Sequence, residues 1–398
     1  MHIVRFVEPV TIKFAKSSGS TTMTFEANRD YLFTSNQIQH VMQDKGVNAR
    51  TYKVSKADMR LTSFHVGVRR VGTQRLLFFN GGGGFGDQIM TWPVVKILND
   101  IGFEVHVLTD PGNNVCWWNQ PFVKTIKTVP LPWEDVKMFD YTAFFEQVAN
   151  MDEHQDQLHP VDIMLHKLGI DPLSVDAKLK VVRPQFTYAE VYAARQFNGK
   201  AVGIYQLSAA NPVRCLQPGD SAFILGKLAE AFPDIRWLAI YDEFVPEDYL
   251  KALFCPDCNG TGEVDAKPCA ACEGSKCRFK GVEPRFFVNL RELWAVTEHA
   301  KIVVSPDSMM VHVAGSMSVP CVGLWGPIDP SRRVQYYQNH TALFPARFCP
   351  HAPCFTYGPA FPKYCPPRPG SAGRKTCEVL AGISPDEVCE AVAKTRRA

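Results

Sequence analysis

Three groups of side chains in this sequence have the types and spacing to do chemistry. The first is Asp87, which follows the glycine-rich turn GGGGFG at residues 81–86. Open α/β sheets place ligands at such strand-to-helix junctions, and glycines such as Gly84 and Gly86 let a ligand approach the free N–H groups of the helix start. Asp87 can equally be a simple helix cap. The second group is SPDSMMVH, residues 305–312, where Asp307, the Ser308 hydroxyl and free helix N–H groups meet at a point suited to a diphosphate or a ribose. His312 lies one helical turn beyond Ser308 on the same face, although a helical histidine is commonly a satisfied structural residue. The third group is Cys255-x-x-Cys258, ten intervening residues, then Cys269-x-x-Cys272. Two such knuckles bring four thiolates to one tetrahedral zinc ion, a structural site, because so short a stretch builds no core of its own. Disulfides or a redox dithiol are the alternatives, and Cys277 can replace one ligand. Cys349, Cys354, Cys365 and Cys377 form a second cluster with looser spacing, read as a second metal site or as free thiols.

These groups need a scaffold, and the hydrophobic pattern supplies one. RLLFFN reads as a buried strand, QIMTWPVVKILNDIG as a helix, and EVHVLTD and TIKTVPLP as further strands. A second series follows: AVGIYQLS, the helix DSAFILGKLAEAF, IRWLAIYD, the helix LRELWAVTEHA, then KIVVS and PCVGLWG, whose turn holds Gly323 and Gly326. Two consecutive series imply two doubly wound α/β domains facing a cleft. The expected division is a small β-rich appendage at 1–72, an α/β domain at 73–195, a second at 196–345 carrying the cysteine insertion 254–281, and a Cys/Pro-rich tail at 346–398. Within the appendage IVRFV and TIKF alternate like strands, and SNQIQHVMQDKG reads as a helix closed by Gly46. Ser384 and Glu387 make a capping-box start for a last helix. The turn before Asp87 lacks a clean G-x-G-x-x-G, although Asp110 lies near the spacing of a dinucleotide-binding acid.

Composition narrows the function classes. With 46% hydrophobic and 21% charged residues the chain can bury sizeable cores. Lys plus Arg (43) against Asp plus Glu (40) leaves a net charge of +3, which excludes a global field of the kind a dedicated nucleic-acid or membrane-surface binder carries. Thirteen cysteines do not fit a fully paired secreted framework. The amino terminus does not read as a signal peptide, and no window reaches the ~18 apolar residues of a membrane span. A cytoplasmic protein is expected, with the sequons at Asn259 and Asn339 chance matches.

GDQIMTWPVVKIL together with LRELWAVTEHAKIVVSPDSMMVHVAGSMSVPCVGLWGPIDP resembles the heptosyltransferases of glycosyltransferase family 9. The tail CPHAPCF … KTCEVLAGISPDEV is similar to that family's cysteine-bearing tail. The resemblance implies a GT-B fold of two Rossmann-like domains. It implies inverting transfer from an ADP-heptose-like nucleotide sugar to a hydroxyl acceptor, with no catalytic metal. On this resemblance Asp87 matches the general base, Asp307, Ser308 and His312 match the donor-binding turn, and Gly326 lies in the matching Gly-Pro turn. Ser208 and Arg214 fall in the loop QLSAANPVRCLQPG, where the family carries a cation for the diphosphate, and Glu243 falls where it can bind ribose. Met309 departs from the family's glycine and is expected to crowd a ligand phosphate. The insertion CPDCNGTG … CAACEG is similar to the zinc knuckles of DnaJ-type chaperones. FEANRDYLFTSNQIQHVMQDKGVNA resembles small modules of bacteriophage structural proteins, which implies a phage origin and an infected bacterial host. A glycan is the expected acceptor, with a nucleic-acid base or nucleotide as the alternative. Arg332, Arg333, Arg347, Arg368, Arg374 and Lys375, interleaved with Tyr336, Tyr337, Phe355 and Tyr357, offer a surface for an anionic acceptor, although a solvated surface has the same composition. A third reading, prompted by Met309, is a non-catalytic nucleotide-sugar-binding scaffold.

Overall fold

The computed structural model describes residues 2–16, 19–34, 37–39, 41, 49–53, 74–81, 83–146, 148–242, 245–265, 267–271, 276–356, 362–363, 365 and 375–397. They form two compact units, Met1–Gln185 and Phe186–Ala398. The division falls before the expected 195/196, for a reason given below.

In the first unit the strands are β1 (His2–Phe6), β2 (Val10–Lys16), β3 (Gly19–Phe25), β4 (Asp30–Phe33), β5 (Ala49–Lys53), β6 (Gln74–Gly81), β7 (Phe103–Thr109), β8 (Thr125–Thr128), β9 (Leu131–Pro132) and β10 (Tyr141–Glu146). RLLFFN is apolar throughout because β6 is an inner strand of the parallel sheet β10-β6-β7-β8 and is covered on both faces. Helix α1 (Phe85–Asp100) leaves its carboxyl end.

The amino-terminal strands do not stand apart as an appendage. β4 pairs antiparallel with β9, giving the sheet β5-β1-β4-β9, and Leu32 is fully buried in one cluster with Leu77, Phe79 and Leu131. Burying one such leucine contributes about 1.5–3 kcal/mol, so the strands are anchored to the α/β layer by packing as well as by pairing. On their other side, Phe6 stacks on Phe25 at 4.9 Å and Phe25 meets Tyr31 edge-on at 5.0 Å. In SNQIQHVMQDKG, Gln37–Gln39 and Val41 are helical; Gly46 lies outside the described residues.

The second unit contains α2 (Tyr188–Ala194), β11 (Val202–Gln206), α3 (Pro218–Ala231), β12 (Arg236–Tyr241), the short hairpin β13 (Glu263–Val264) and β14 (Lys267–Pro268), β15 (Val282–Phe286) and α4 (Leu290–Thr297). β16 (Ala300–Pro306), α5 (Met309–Ser316), β17 (Cys321–Leu324), β18 (His340–Leu343), α6 (Glu378–Ala381) and α7 (Pro385–Thr395) complete it. The sheet is wholly parallel with order β15-β12-β11-β16-β17-β18. Numbered within the unit this is 3-2-1-4-5-6, the Rossmann order, and the chain reverses direction between β11 and β16. The Ser384–Glu387 capping box forms at the start of α7 as its sequence implies. Among the described residues, no helix is long and apolar enough to cross a membrane.

An ion pair explains where the units divide. Arg291 on α4, 1% exposed, grips Glu190 on α2 with Nε–Oε1 at 2.6 Å and Nη2–Oε2 at 3.1 Å, which ties residues 188–194 to the second unit. Burial opposes ionisation of Glu190, but the guanidinium and the Thr187 N–H overcome it and hold the carboxyl below its usual range. Removing one partner of a buried pair strands the other charge, so Arg291→Met is expected to cost about 3–5 kcal/mol in urea unfolding. Because the folded pKa is depressed, the pair's contribution is full above the unfolded value of ~4.3 and is lost as pH falls through the folded value. The difference between wild type and Arg291→Met should therefore shrink on acidification in that window.

Candidate functional site

In the first unit the candidate base sits on a built turn. Asn80 is the next-to-last residue of β6; its side-chain nitrogen donates to Thr91 Oγ1 at 2.6 Å and its backbone carbonyl accepts from Gln88 Nε2 at 2.8 Å. Gln88 Oε1 accepts in turn from the Trp117 indole at 3.0 Å. This buried network fixes the start of α1. Asp87, third residue of the helix, reaches back to accept the Gly84 N–H at 2.7 Å, which is one half of a capping box. Gly83 has to be glycine here, because a Cβ would lie 2.5 Å from the Asp87 carboxylate. The capping role is therefore real; one such bond does not exhaust a carboxylate's several acceptor positions, so it orients the group without precluding base chemistry.

In the second unit the loop after β11 and the turn after β16 meet at the switch point between these strands. Asn211 caps a short 3-10 turn, Pro212–Arg214, by accepting the Val213 N–H. Cys215 braces the loop behind it, accepting from the Ala209 N–H at 3.1 Å and facing the Ala209 carbonyl at 3.2 Å. The loop so braced brings Arg214 Nη1 to 3.6 Å from Asp307 Oδ2. Arg214 Nε is buried with no hydrogen-bond partner among the described residues. Gln206 Nε2 donates to Ser308 Oγ at 3.0 Å, and Ser305 Oγ donates to Gln206 Oε1 at 3.0 Å. Arg214, Asp307 and Ser308 are thus together, with the start of α5 beside them, and Ser208 lies on the same loop.

Two expectations change at this turn. Met309 is directed toward α4, where its sulfur accepts the Trp294 indole N–H at 3.4 Å, so the thioether has a berth of its own in place of the expected crowding. His312 is 4% exposed, and its Nδ1 lies 3.1 Å from Tyr337 Oη. Burial pushes the Tyr337 phenol up, so it is a neutral partner, and Gly315 makes room for its ring, which a Cβ would meet at 2.3 Å. That is the structural reading of His312. Glu243 and Cys272 lie outside the described residues.

The thiol groups separate clearly. The sulfurs of Cys255, Cys258 and Cys269 are buried and within 4.8 Å of one another, with Cys255 and Cys269 3.9 Å apart. Tetrahedral zinc with ~2.3 Å Zn–S bonds needs sulfurs ~3.8 Å apart, so the three thiols fit the ion. The Gly262 N–H donates to Cys258 Sγ at 3.3 Å, a bond that steadies a thiolate. Cys277 turns away and faces the Leu253 carbonyl at 3.3 Å. All the described cysteines are free of disulfides. In the tail, Cys349, Cys354, Cys365 and Cys377 line one small cavity with Val213 and the Gly326–Pro327 turn. Burial, then the neighbouring thiols, push Cys365 up to about 11.

Sequence reasoning missed Gln206, Ser305 and the Asn80–Gln88–Trp117 network, and it placed Tyr337 on a surface where the structure buries it against His312. The polarity of Gln206 at the end of an otherwise apolar strand was the one available signal.

Two parallel α/β units of this topology, with candidate ligand groups at strand carboxyl ends, define a GT-B-type architecture. Residues 265–365 match the model of glycosyltransferase family 9 (heptosyltransferase). The matched span holds Asp307, Ser308, His312 and Gly326; it does not reach Asp87 or Arg214. No curated protein matches by sequence. Among solved structures the chain is similar to the family 9 glycosyl transferase of Veillonella parvula DSM 2008, with a TM-score of 0.56, 13% identity, and coverage of 81% of this chain and 97% of that one. It is similar to ADP-heptose LPS heptosyltransferase II of E. coli, with a TM-score of 0.53, 12% identity and coverage of 81% and 98%. It is also similar to TibC, the iron-containing dodecameric glycosyltransferase of enterotoxigenic E. coli H10407, with a TM-score of 0.52, 13% identity and coverage of 100% and 91%.

Gly326 has a packing reason of its own. A Cβ there would lie 2.8 Å from Leu380 Cγ and 3.1 Å from Cys377 Sγ, so the tail is seated on this glycine. Gly326→Ala is expected to cost about 1–3 kcal/mol by overpacking, read as a lowered Tm.

Proposed function

We propose that this protein is an inverting glycosyltransferase that moves a sugar from a nucleotide-diphosphate sugar to a hydroxyl acceptor. The observation that carries the reading is the meeting of Arg214, Asp307 and Ser308 at the β11/β16 switch point, where a Rossmann-order sheet offers a nucleotide site. The family match over 265–365 supports it, as do likenesses to structures whose names specify ADP-heptose transfer. In the proposed reaction the acceptor oxygen bonds to the anomeric carbon as the bond from that carbon to the phosphate oxygen breaks. The hydroxyl proton goes to Asp87, and the leaving diphosphate keeps the bonding electron pair. Arg214, the Ser308 hydroxyl and the N–H groups of α5 neutralise it, and Asp307 orients Arg214 and is available to a ribose hydroxyl.

The test is nucleoside diphosphate release across ADP-, UDP-, GDP- and dTDP-sugars, with glycan, nucleotide and DNA acceptors. Asp87→Asn keeps an acceptor for the Gly84 N–H, so its Tm should stay close to wild type while kcat falls about 10²–10⁴-fold, the usual weight of a general base. Full turnover by Asp87→Asn would remove the base assignment, and donor binding without turnover on any acceptor would favour the non-catalytic scaffold.

The cysteine insertion is proposed as a structural zinc site of Cys255, Cys258 and Cys269, with Cys272 as the fourth ligand by its spacing. The metal would cross-link a segment that buries almost no apolar side chain besides its own cysteines. The tail thiols are a candidate second site, since four of them line one cavity and the similar TibC is iron-containing. Ligation must displace their protons, so occupancy of either site should fall with pH. Elemental analysis should find zinc in the wild type, with one equivalent lost in Cys255→Ser/Cys258→Ser. A further loss in Cys354→Ser/Cys365→Ser would identify the tail site; fully folded, metal-free wild-type protein would remove both.

A further inference from the structure

The Gln206 side chain is the only group described that hydrogen-bonds both to the turn residue Ser308 and to the strand residue Ser305. Ser305 is fully buried; its hydroxyl faces Gln206 Oε1 at 3.0 Å and the Pro306 carbonyl at 2.8 Å. Gln206 presents its oxygen to Ser305, whose single hydroxyl proton is then shared between Gln206 Oε1 and the Pro306 carbonyl. The amide is rigid, so its nitrogen then points to Ser308, 3.0 Å away. Ser308 Oγ accepts that bond. A hydroxyl has one proton, and the Ser308 proton is thereby left to point away from the amide.

We propose that Gln206 is a positioning residue that sets the polarity of the Ser308 hydroxyl, making it a hydrogen-bond donor toward the oxygens of a bound nucleoside diphosphate. This rests on the nucleotide-sugar reading above and deepens it. The relay begins at a fully buried serine and crosses the two strands that flank the switch point. It therefore holds the hydroxyl oriented before a ligand arrives, which lowers the ordering cost of binding.

The test is a double-mutant cycle on nucleotide binding, measured by calorimetry with ADP, UDP, GDP and dTDP on the full chain. Gln206→Glu keeps the shape but has no donor for Ser308, which must then turn its own proton inward; Gln206→Leu removes the relay; Ser308→Ala removes its endpoint. Each is expected to weaken the tightest-bound nucleotide by tenfold or more. The Gln206→Leu/Ser308→Ala pair should lose no more than Ser308→Ala alone, a non-additivity that a merely structural glutamine would not give. Tm values identify any variant whose loss comes from unfolding, and Gln206→Glu is the isosteric check on Gln206→Leu. Wild-type affinity in Gln206→Leu, or losses that multiply in the double variant, would overturn the proposal while leaving the nucleotide site standing. Retained affinity in Gln206→Glu would show the amide facing the other way, which equally overturns it. If the wild type binds none of the four nucleotides, the nucleotide-sugar reading itself fails and this inference falls with it.

Discussion

The second unit depends on one constraint: β11 and β16 lie side by side and parallel at the point where the strand order reverses. Parallel neighbours point their carboxyl ends the same way, and at such a reversal of strand order the segments that follow separate and leave a crevice. The residues at its rim are short and polar for that reason. Gln206 ends one strand, and Pro306, Asp307 and Ser308 end the other. Arg214 reaches the rim only because Asn211 and Cys215 turn the intervening loop back on itself. The crevice is a consequence of strand order; its chemistry is a consequence of what the loops carry to it.

How much of this the sequence disclosed depends on range. RLLFFN and KIVVS read as buried strands because a two-face-buried strand leaves an unbroken apolar run. Asp307 and Ser308 were legible because a cap and a turn are local. Gln206 was not, since its meaning lies in partners 99 and 102 residues further on, and their pairing is set by a register that shifts between Val202 and Gly203. For His312, helical spacing put it on the face of Ser308, but the partner of its Nδ1, Tyr337, comes from a distant segment that no local pattern discloses. Met309 shows the same limit, because only the arrival of Trp294 from α4 gives its sulfur somewhere to go. At Asp87 the local reading is the one observed: its carboxylate accepts the Gly84 N–H and caps the helix, as a residue three positions into a helix can do without any distant partner.

The tail adds a second layer of support to the same loop. Leu380 of α6 and Cys377 pack on Gly326, and the tail cysteines line one small cavity with the Gly326–Pro327 turn and Val213, the residue next to Arg214. Gln217, at the start of α3, donates to the Lys375 carbonyl at 3.3 Å, a further tie between this loop and the tail. From Cys377 onward the tail buries Val379, Leu380, Ile383, Val388 and Val392 in the core of the second unit, so apolar packing holds it against the sheet.

The cysteine insertion differs in that its three described sulfurs are already clustered to the spacing of a tetrahedral site and buried as a small core of their own. It is inserted between β12 and β15, adjacent strands of the same sheet, and is sewn to its stem by the pairing of Phe254 with Cys277 and by the Cys255 N–H to Lys276 carbonyl bond at 3.0 Å. Those bonds close the loop at its base, so whatever the insertion does at its tip leaves the sheet register undisturbed. The contrast with the tail follows from where each thiol set is attached. The insertion's thiols stand beyond that closed stem, whereas the tail packs on the Gly326 turn through Leu380 and Cys377.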